Sequence, residues 1–163
     1  MSTAARTRSA ADPGVEHPMD STTELGNLIA RYAEMIDAGD FDGVAGLLES
    51  AAVGAAEGPL LTGHDAIRRL FASTARLYPD GTPRTKHVTT NLILEIDEDD
   101  RATARSYWTV FQAVEGLPLQ PILAGRYHDR FVRRDGVWAF AERRYLVDLV
   151  GDVSHHMIGN QPT

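Results

Sequence analysis

The apolar period of this chain changes once, near Lys86, and that change decides most of what the chain can fold into. Upstream, Leu25, Leu28, Ile29, Tyr32 and Ile36 recur at spacings of three and four, which makes one stripe of an amphipathic helix. Phe41, Val44, Leu47 and Leu48 continue the pattern in a second, shorter helix. "TGHDAIRRLFASTARLYP" reads as a third, with Ile67, Leu70, Phe71, Thr74 and Tyr78 on one face. Ser21, Thr22 or Thr23 is expected to cap the first helix, and Asp40 the second. Gly39 suits the left-handed residue between them, and Thr62 with Asp65 approximates a capping box for the third. Downstream the segments "KHVTTNLILEID", "RATARSYWTVFQAV", "ILAGRYHDRFVRR" and "VWAFAERRYLVDLV" are extended and rich in β-branched and aromatic residues. "EDD" and "DG" form turns between them, and "EGLPLQP" reads as a loop. Helices followed by an antiparallel meander predict an α+β fold, with three helices packed on one face of a curved antiparallel sheet.

Residues 51–62 are small and apolar and read as a short strand. Residues 1–20 are small, polar and interrupted by prolines, and are expected to be disordered. The domain then spans 21–150, and 151–163 reads as a polar, unstructured tail rather than a lid. The formal net charge of −7 disfavours nucleic acid as a partner. The chain has no cysteine, which excludes disulfides, a thiol nucleophile and cysteine-held metals. No apolar run reaches the ~20 residues of a membrane helix, and residues 1–20 show no secretory signal. A cytoplasmic protein without a membrane partner is expected.

One residue stands out against this background. Asp37 falls in the last turn of the first helix, where the backbone carbonyls already make the end electronegative. It is either a solvated acid or an acid held by something. Tyr32 sits inside the apolar stripe, where core packing is the ordinary role of a tyrosine. His87 opens the first long strand on a mixed face with Thr89, Asn91 and Ile93, which suits a polar pocket wall or solvent equally. In the next strand the inward residues are expected to be Ala104, Ser106 and Trp108.

The segments "LIARYAEMIDAGDFDGVAGLL", "TGHDAIRRLF", "KHVTTNLIL", "GRYHDRFVRRDGVW" and "RRY" together resemble the SnoaL-like branch of the nuclear-transport-factor-2-like superfamily. Within it the motifs are most similar to the bile-acid 7-alpha-dehydratase and scytalone dehydratase group. That resemblance covers residues 22 to 148 and implies a cone-shaped fold enclosing one deep, mostly apolar pocket. The bile-acid dehydratase family carries a tyrosine and an aspartate five residues apart on its first helix, and a histidine at the start of its first long strand. Tyr32, Asp37 and His87 match these positions. The second histidine that scytalone dehydratase takes from a neighbouring strand has no counterpart between His87 and His128.

The implied chemistry is that of a cofactor-independent dehydratase or isomerase acting on a hydrophobic, polycyclic hydroxy-ketone or enone. Histidine, with an unperturbed pKa near 6.5, is a natural base. A carboxylate on its far nitrogen fixes tautomer and orientation, which would explain Asp37. Tyr32 would donate a hydrogen bond to an enolate or a departing hydroxyl. Asn91, Trp108, Tyr127 and Phe71 are the expected substrate contacts, although Tyr127 is equally suited to core packing. An epoxide-hydrolase type of site would need two acids around an arginine, and Arg105 has none placed beside it. His64 and His128 are expected in solvent. His155 and His156, adjacent in an extended tail, point opposite ways and make a poor metal pair. "RRDG" and "ERR" read as solvated strand ends. No metal and no cofactor is expected, and the resemblance implies a homodimer. The competing expectation is a non-catalytic binding or assembly module, like the beta subunit of a ring-hydroxylating dioxygenase.

Overall fold

The computed structural model describes residues 20–159. The expectation of a disordered N-terminus therefore lies outside the described residues, apart from Asp20. Helix α1 spans Ser21–Ala38, and its cap is Asp20 rather than Ser21, Thr22 or Thr23: the Asp20 carboxylate accepts from Thr23 N at 2.9 Å. Gly39, at φ 74°, turns the chain out of α1, and a Cβ there would stand 2.1 Å from the Gly81 carbonyl oxygen. Helix α2, Phe41–Leu47, is capped by Asp40, which accepts from Gly43 N at 2.8 Å.

Helix α3 covers only His64–Thr74. Its expected capping box does not form, because Thr62 belongs to a strand and Gly63, at φ 86°, holds the N-cap position without a side-chain bond. Tyr78 accordingly lies beyond the helix end.

The strands are β1 (Ala52–Ala55), β2 (Leu61–Thr62), β3 (Thr85–Ile96), β4 (Arg101–Val114), β5 (Leu117–Arg134) and β6 (Val137–Val150). They form one six-stranded sheet in the order β2-β1-β6-β5-β4-β3, antiparallel except where β1 runs parallel to β6. Three helices and a curved, mostly antiparallel sheet give the α+β fold that the change of period predicts. Residues 51–62 supply two strands rather than one. "EGLPLQP" is not a loop: only Glu115 and Gly116 turn, and β5 begins at Leu117, opposite Val114. Pro118, which cannot donate to a ladder, falls in the register shift between Gln112 and Val114, where a missing donor is tolerated.

Two single-residue register shifts control which side chains reach the core. Between Thr90 and Ile93, β3 has one residue more than β4, and Asn91 adopts φ 52° there. Before this bulge Thr85 and His87 face inward; after it Leu94 does, opposite the buried Ala104. The same device sits in β6, where Phe131 pairs with Phe140 but Arg130 with Glu142. Trp138 and Phe140 face the core before it, and Arg143 and Tyr145 after it. Shifting strand parity by one residue exchanges the two faces.

Leu25, Ile29, Val44 and Ile67 from the helices, with Leu48 at the end of α2, pack on Val53, Val110, Phe131 and Phe140 from the sheet. Burying such a side chain is worth roughly 1.5–3 kcal/mol. Among the described residues no helix is long and apolar enough to cross a membrane.

The C-terminal segment departs from the expected free tail. Val153 is fully buried, and Met157 bridges Ala75 just past α3. Arg76 N donates to His156 O at 2.7 Å and Ile158 N to Thr74 O at 2.9 Å. The Tyr78 hydroxyl donates to His155 O at 2.7 Å. Residues 153–158 thus form a strap over the end of α3. Its polar composition concealed this, because the strap docks mainly through backbone bonds and a few apolar anchors.

Candidate active site

A cavity of about 550 Å³ opens between the helices and the inner face of the sheet. Its walls are largely apolar and aromatic, with Tyr32, Phe71, Trp108, Tyr127 and Tyr145 among them. That volume and lining suit a drug-sized hydrophobic ligand. His87 and His156 also reach this cavity.

Asp37 is held rather than solvated. Its side chain is 8% exposed and that of His87 is 9% exposed. Asp37 Oδ1 lies 2.7 Å from His87 Nδ1 and accepts from Thr85 Oγ1 at 2.8 Å, while Oδ2 accepts from His87 N at 2.8 Å. A carboxylate only accepts, so it fixes the ring proton on Nδ1 and leaves Nε2 as the basic nitrogen. Burial raises the Asp37 carboxyl, but the His87 ring and N–H and the Thr85 hydroxyl outweigh it and hold the group below its ordinary value. These contacts offset the helix-terminal repulsion of about 0.3–1 kcal/mol. Thr85 carries no signal in the sequence that marks it as a partner; only its position two residues before His87 on the same face of β3 provides one.

Tyr32 is 3% exposed, and its ring stands edge-on to Tyr127 at 5.9 Å between centroids. Burial pushes its hydroxyl up, against the pull of the nearby Arg143 charge, so at neutral pH the group is a neutral donor. Trp108, Tyr127 and Phe71 line the cavity, with Trp108 stacked on Tyr127 at 5.6 Å. Asn91 is a correction: it is exposed at the β3 bulge and is not among the residues lining the cavity, because the bulge turns this part of the strand over.

Beneath the aromatic residues lies a feature that sequence parity concealed. Asp129 and Arg143 pair in register across β5 and β6, both fully buried, with bonds of 2.8 and 2.7 Å. The Arg143 guanidinium lies 4.2 Å from the ring centres of both Tyr32 and Tyr127. The "ERR" segment is therefore not a solvated strand end, since the β6 bulge carries Arg143 inward. Burial disfavours its charge, but the bonds and charge of Asp129 more than compensate, and the group stays protonated. Arg105 instead lies on the surface, 3.7 Å from Glu95.

His156 is the second feature that composition did not reveal. It is 9% exposed, and its Nδ1 is buried without a hydrogen-bond partner. Burial, with a further push from His87 and some opposition from Asp37, lowers its imidazole to about 4. His128 is exposed, as its parity predicts. Among the described residues no three His, Asp or Glu side chains converge in a way that would hold a metal ion.

Residues 18–144 match the SnoaL-like domain family. Among solved structures, the chain is similar to Rv3472, a protein of unknown function from Mycobacterium tuberculosis. The two are 30% identical over 86% of this chain and 81% of that one, with a TM-score of 0.65. A proposed scytalone dehydratase from Novosphingobium aromaticivorans matches at 22% identity over 80% and 86%, with a TM-score of 0.63. The beta subunit of a proposed aromatic-ring-hydroxylating dioxygenase from the same organism shares the fold at 15% identity over 78% and 89%, with a TM-score of 0.61. Comparison with curated proteins gives no match.

Proposed function

The chain belongs to the SnoaL-like domain family, and on that premise we propose that it is a cofactor-independent lyase or isomerase. Its substrate is a hydrophobic, polycyclic hydroxy-ketone or enone. The single observation that supports this most is the Asp37–His87 pair, 2.7 Å apart, with His87 facing an apolar cavity. An oriented base beside an apolar pocket is suited to removing a proton next to a carbonyl.

In the dehydratase form, His87 Nε2 takes the proton from the carbon next to the carbonyl. The C–H electron pair enters an enolate, whose oxygen accepts a hydrogen bond from Tyr32. The enolate then collapses to the enone as the neighbouring C–O bond breaks, and the departing hydroxide recovers the proton from His87 and leaves as water. In the isomerase form the proton returns to a different carbon. Asp37 steadies the imidazolium in either case. The test is to incubate the protein, without added cofactor, with a panel of polycyclic β-hydroxy-ketones and follow enone absorbance. His87→Ala should lower turnover ~10²–10⁴-fold; full activity in that variant would sink the mechanism.

A second reading rests on the outer face of the sheet. Val88, Ile93 and Tyr107 are exposed there, and such a patch marks an interaction surface. We assign it to a second copy of the chain, so that the working form is a homodimer. The dioxygenase beta subunit of similar fold gives the non-catalytic alternative, in which this face meets a different protein. Sedimentation of the purified chain separates the two: a monomer at micromolar concentration would remove the homodimer.

A further inference from the structure

The cavity wall holds polar groups that the proton transfer above leaves idle, and one of them comes from outside the sheet and helices. His156 reaches the cavity from the C-terminal strap, on the same wall system as His87. Its place is fixed, because its own carbonyl accepts from Arg76 N and its neighbour His155 is held by Tyr78. Its Nδ1 is buried with no partner. A buried polar atom left unpaired costs about 1–3 kcal/mol, and because Nδ1 is sealed off, a ligand oxygen meets the ring through the part of it that lines the cavity.

The two imidazoles cannot play the same part. Asp37 directs both carboxylate oxygens to Thr85 and His87. When His87 takes up the substrate's proton, Asp37 stabilises the imidazolium there, and a second cation in the same apolar cavity would be repelled. Burial and the charge of His87 keep His156 neutral, at about 4. A neutral imidazole hydrogen-bonds an oxygen without competing for the proton that His87 moves.

We propose that His156 is an oxygen-binding residue of this cavity, whose neutral ring hydrogen-bonds an oxygen of an otherwise apolar ligand placed beside His87. The inference rests on the reading of the cavity as a substrate site and narrows it. The ligand must carry a hydroxyl or carbonyl at the His87–His156 end, with its apolar body against Phe71, Trp108 and Tyr127.

The test needs no turnover, so its failure is separable from failure of the lyase or isomerase reading. Dissociation constants are measured at pH 7 for 2-naphthol and for naphthalene, which differ by one hydroxyl. Native protein should prefer 2-naphthol on the order of tenfold, the effect of one hydrogen bond to a buried group. His156→Phe should lose that preference while still binding naphthalene, and His156→Gln, which keeps a donor and an acceptor, should recover part of it. The His156 ring nitrogens should shift in NMR spectra with 2-naphthol and not with naphthalene. No preference in the native protein, or a preference undiminished in His156→Phe, would overturn the proposal. A preference lost only in Tyr145→Phe, a residue that also lines the cavity, would move the contact to that tyrosine and overturn it equally.

Discussion

Asp37 Oδ1 lies 2.7 Å from His87 Nδ1, and Asp37 Oδ2 accepts from the backbone N–H of the same histidine at 2.8 Å. One carboxylate thus fixes both the ring and the strand that carries it. Asp37→Asn keeps the shape but presents an amide to Nδ1, so the preference for the Nδ1–H tautomer is lost. Turnover of whatever ketone is found should fall ~10²–10⁴-fold, measured as kcat on the same substrate as the native protein. A variant within twofold of native activity would show that the pair is structural.

The buried Asp129–Arg143 pair should behave asymmetrically. Asp129→Ala leaves a guanidinium with no counter-charge at a site that is fully buried, and should cost roughly 3–5 kcal/mol in urea unfolding. The double variant Asp129→Leu with Arg143→Met removes both charges and should recover much of that loss. A double variant as unstable as the single one would mean that the arginine stabilises chiefly through its stacking on Tyr32 and Tyr127.

Gly125 is set by contact rather than by conformation. It pairs with Trp108 across β4 and β5, and a Cβ there would stand 2.0 Å from Leu146 O and 2.6 Å from Trp108 Cζ2. Gly125→Ala should push Trp108 toward the cavity and cost about 1–3 kcal/mol. Tryptophan fluorescence together with urea unfolding checks both effects; an unchanged midpoint would mean that the strand absorbs the methyl group.

Acid should loosen the strap before it reaches the Asp37 pair. The His156 imidazole is held down from 6.5 to about 4 by burial, with His87 adding to the shift and Asp37 opposing it. Its folded value lies below its unfolded one, so its contribution is intact above pH 6.5 and is lost as pH falls through about 4. The full loss is roughly 3 kcal/mol. Asp37 is also lowered, from 3.8, so its contribution is intact above that value and disappears only in stronger acid. Hydrogen-exchange protection factors at Met157 and Ile158, whose amides are bonded at 2.9 Å, should fall between pH 6 and pH 4, and His156→Phe should flatten that slope.

Much of the fold was legible in the chain. The stripe from Leu25 to Ile36 marked α1, and Gly39 and Asp40 marked its end and the next start. The alternation of Ala104, Ser106 and Trp108 on β4 gave the inward face directly, because that part of the strand carries no bulge. The misplacements have local causes. Asp20 caps α1 because a carboxylate one residue earlier reaches Thr23 N. The prolines in "EGLPLQP" masked a strand because a register shift makes room for one.

By itself, then, the sequence determined most of the elements, their order and the resemblance that singles out Tyr32, Asp37 and His87, since hydrophobic period and residue spacing are local properties. Tertiary structure alone decided which other polar groups join them. A one-residue bulge in β6 turned Arg143 from solvent into the core against Asp129, and a bulge in β3 turned Asn91 away from the cavity. The docking of residues 153–158 brought His156 to the cavity from 69 positions beyond His87. Strand register and strap docking are set by the sum of many packing contacts across the molecule, and a short window of sequence does not contain them.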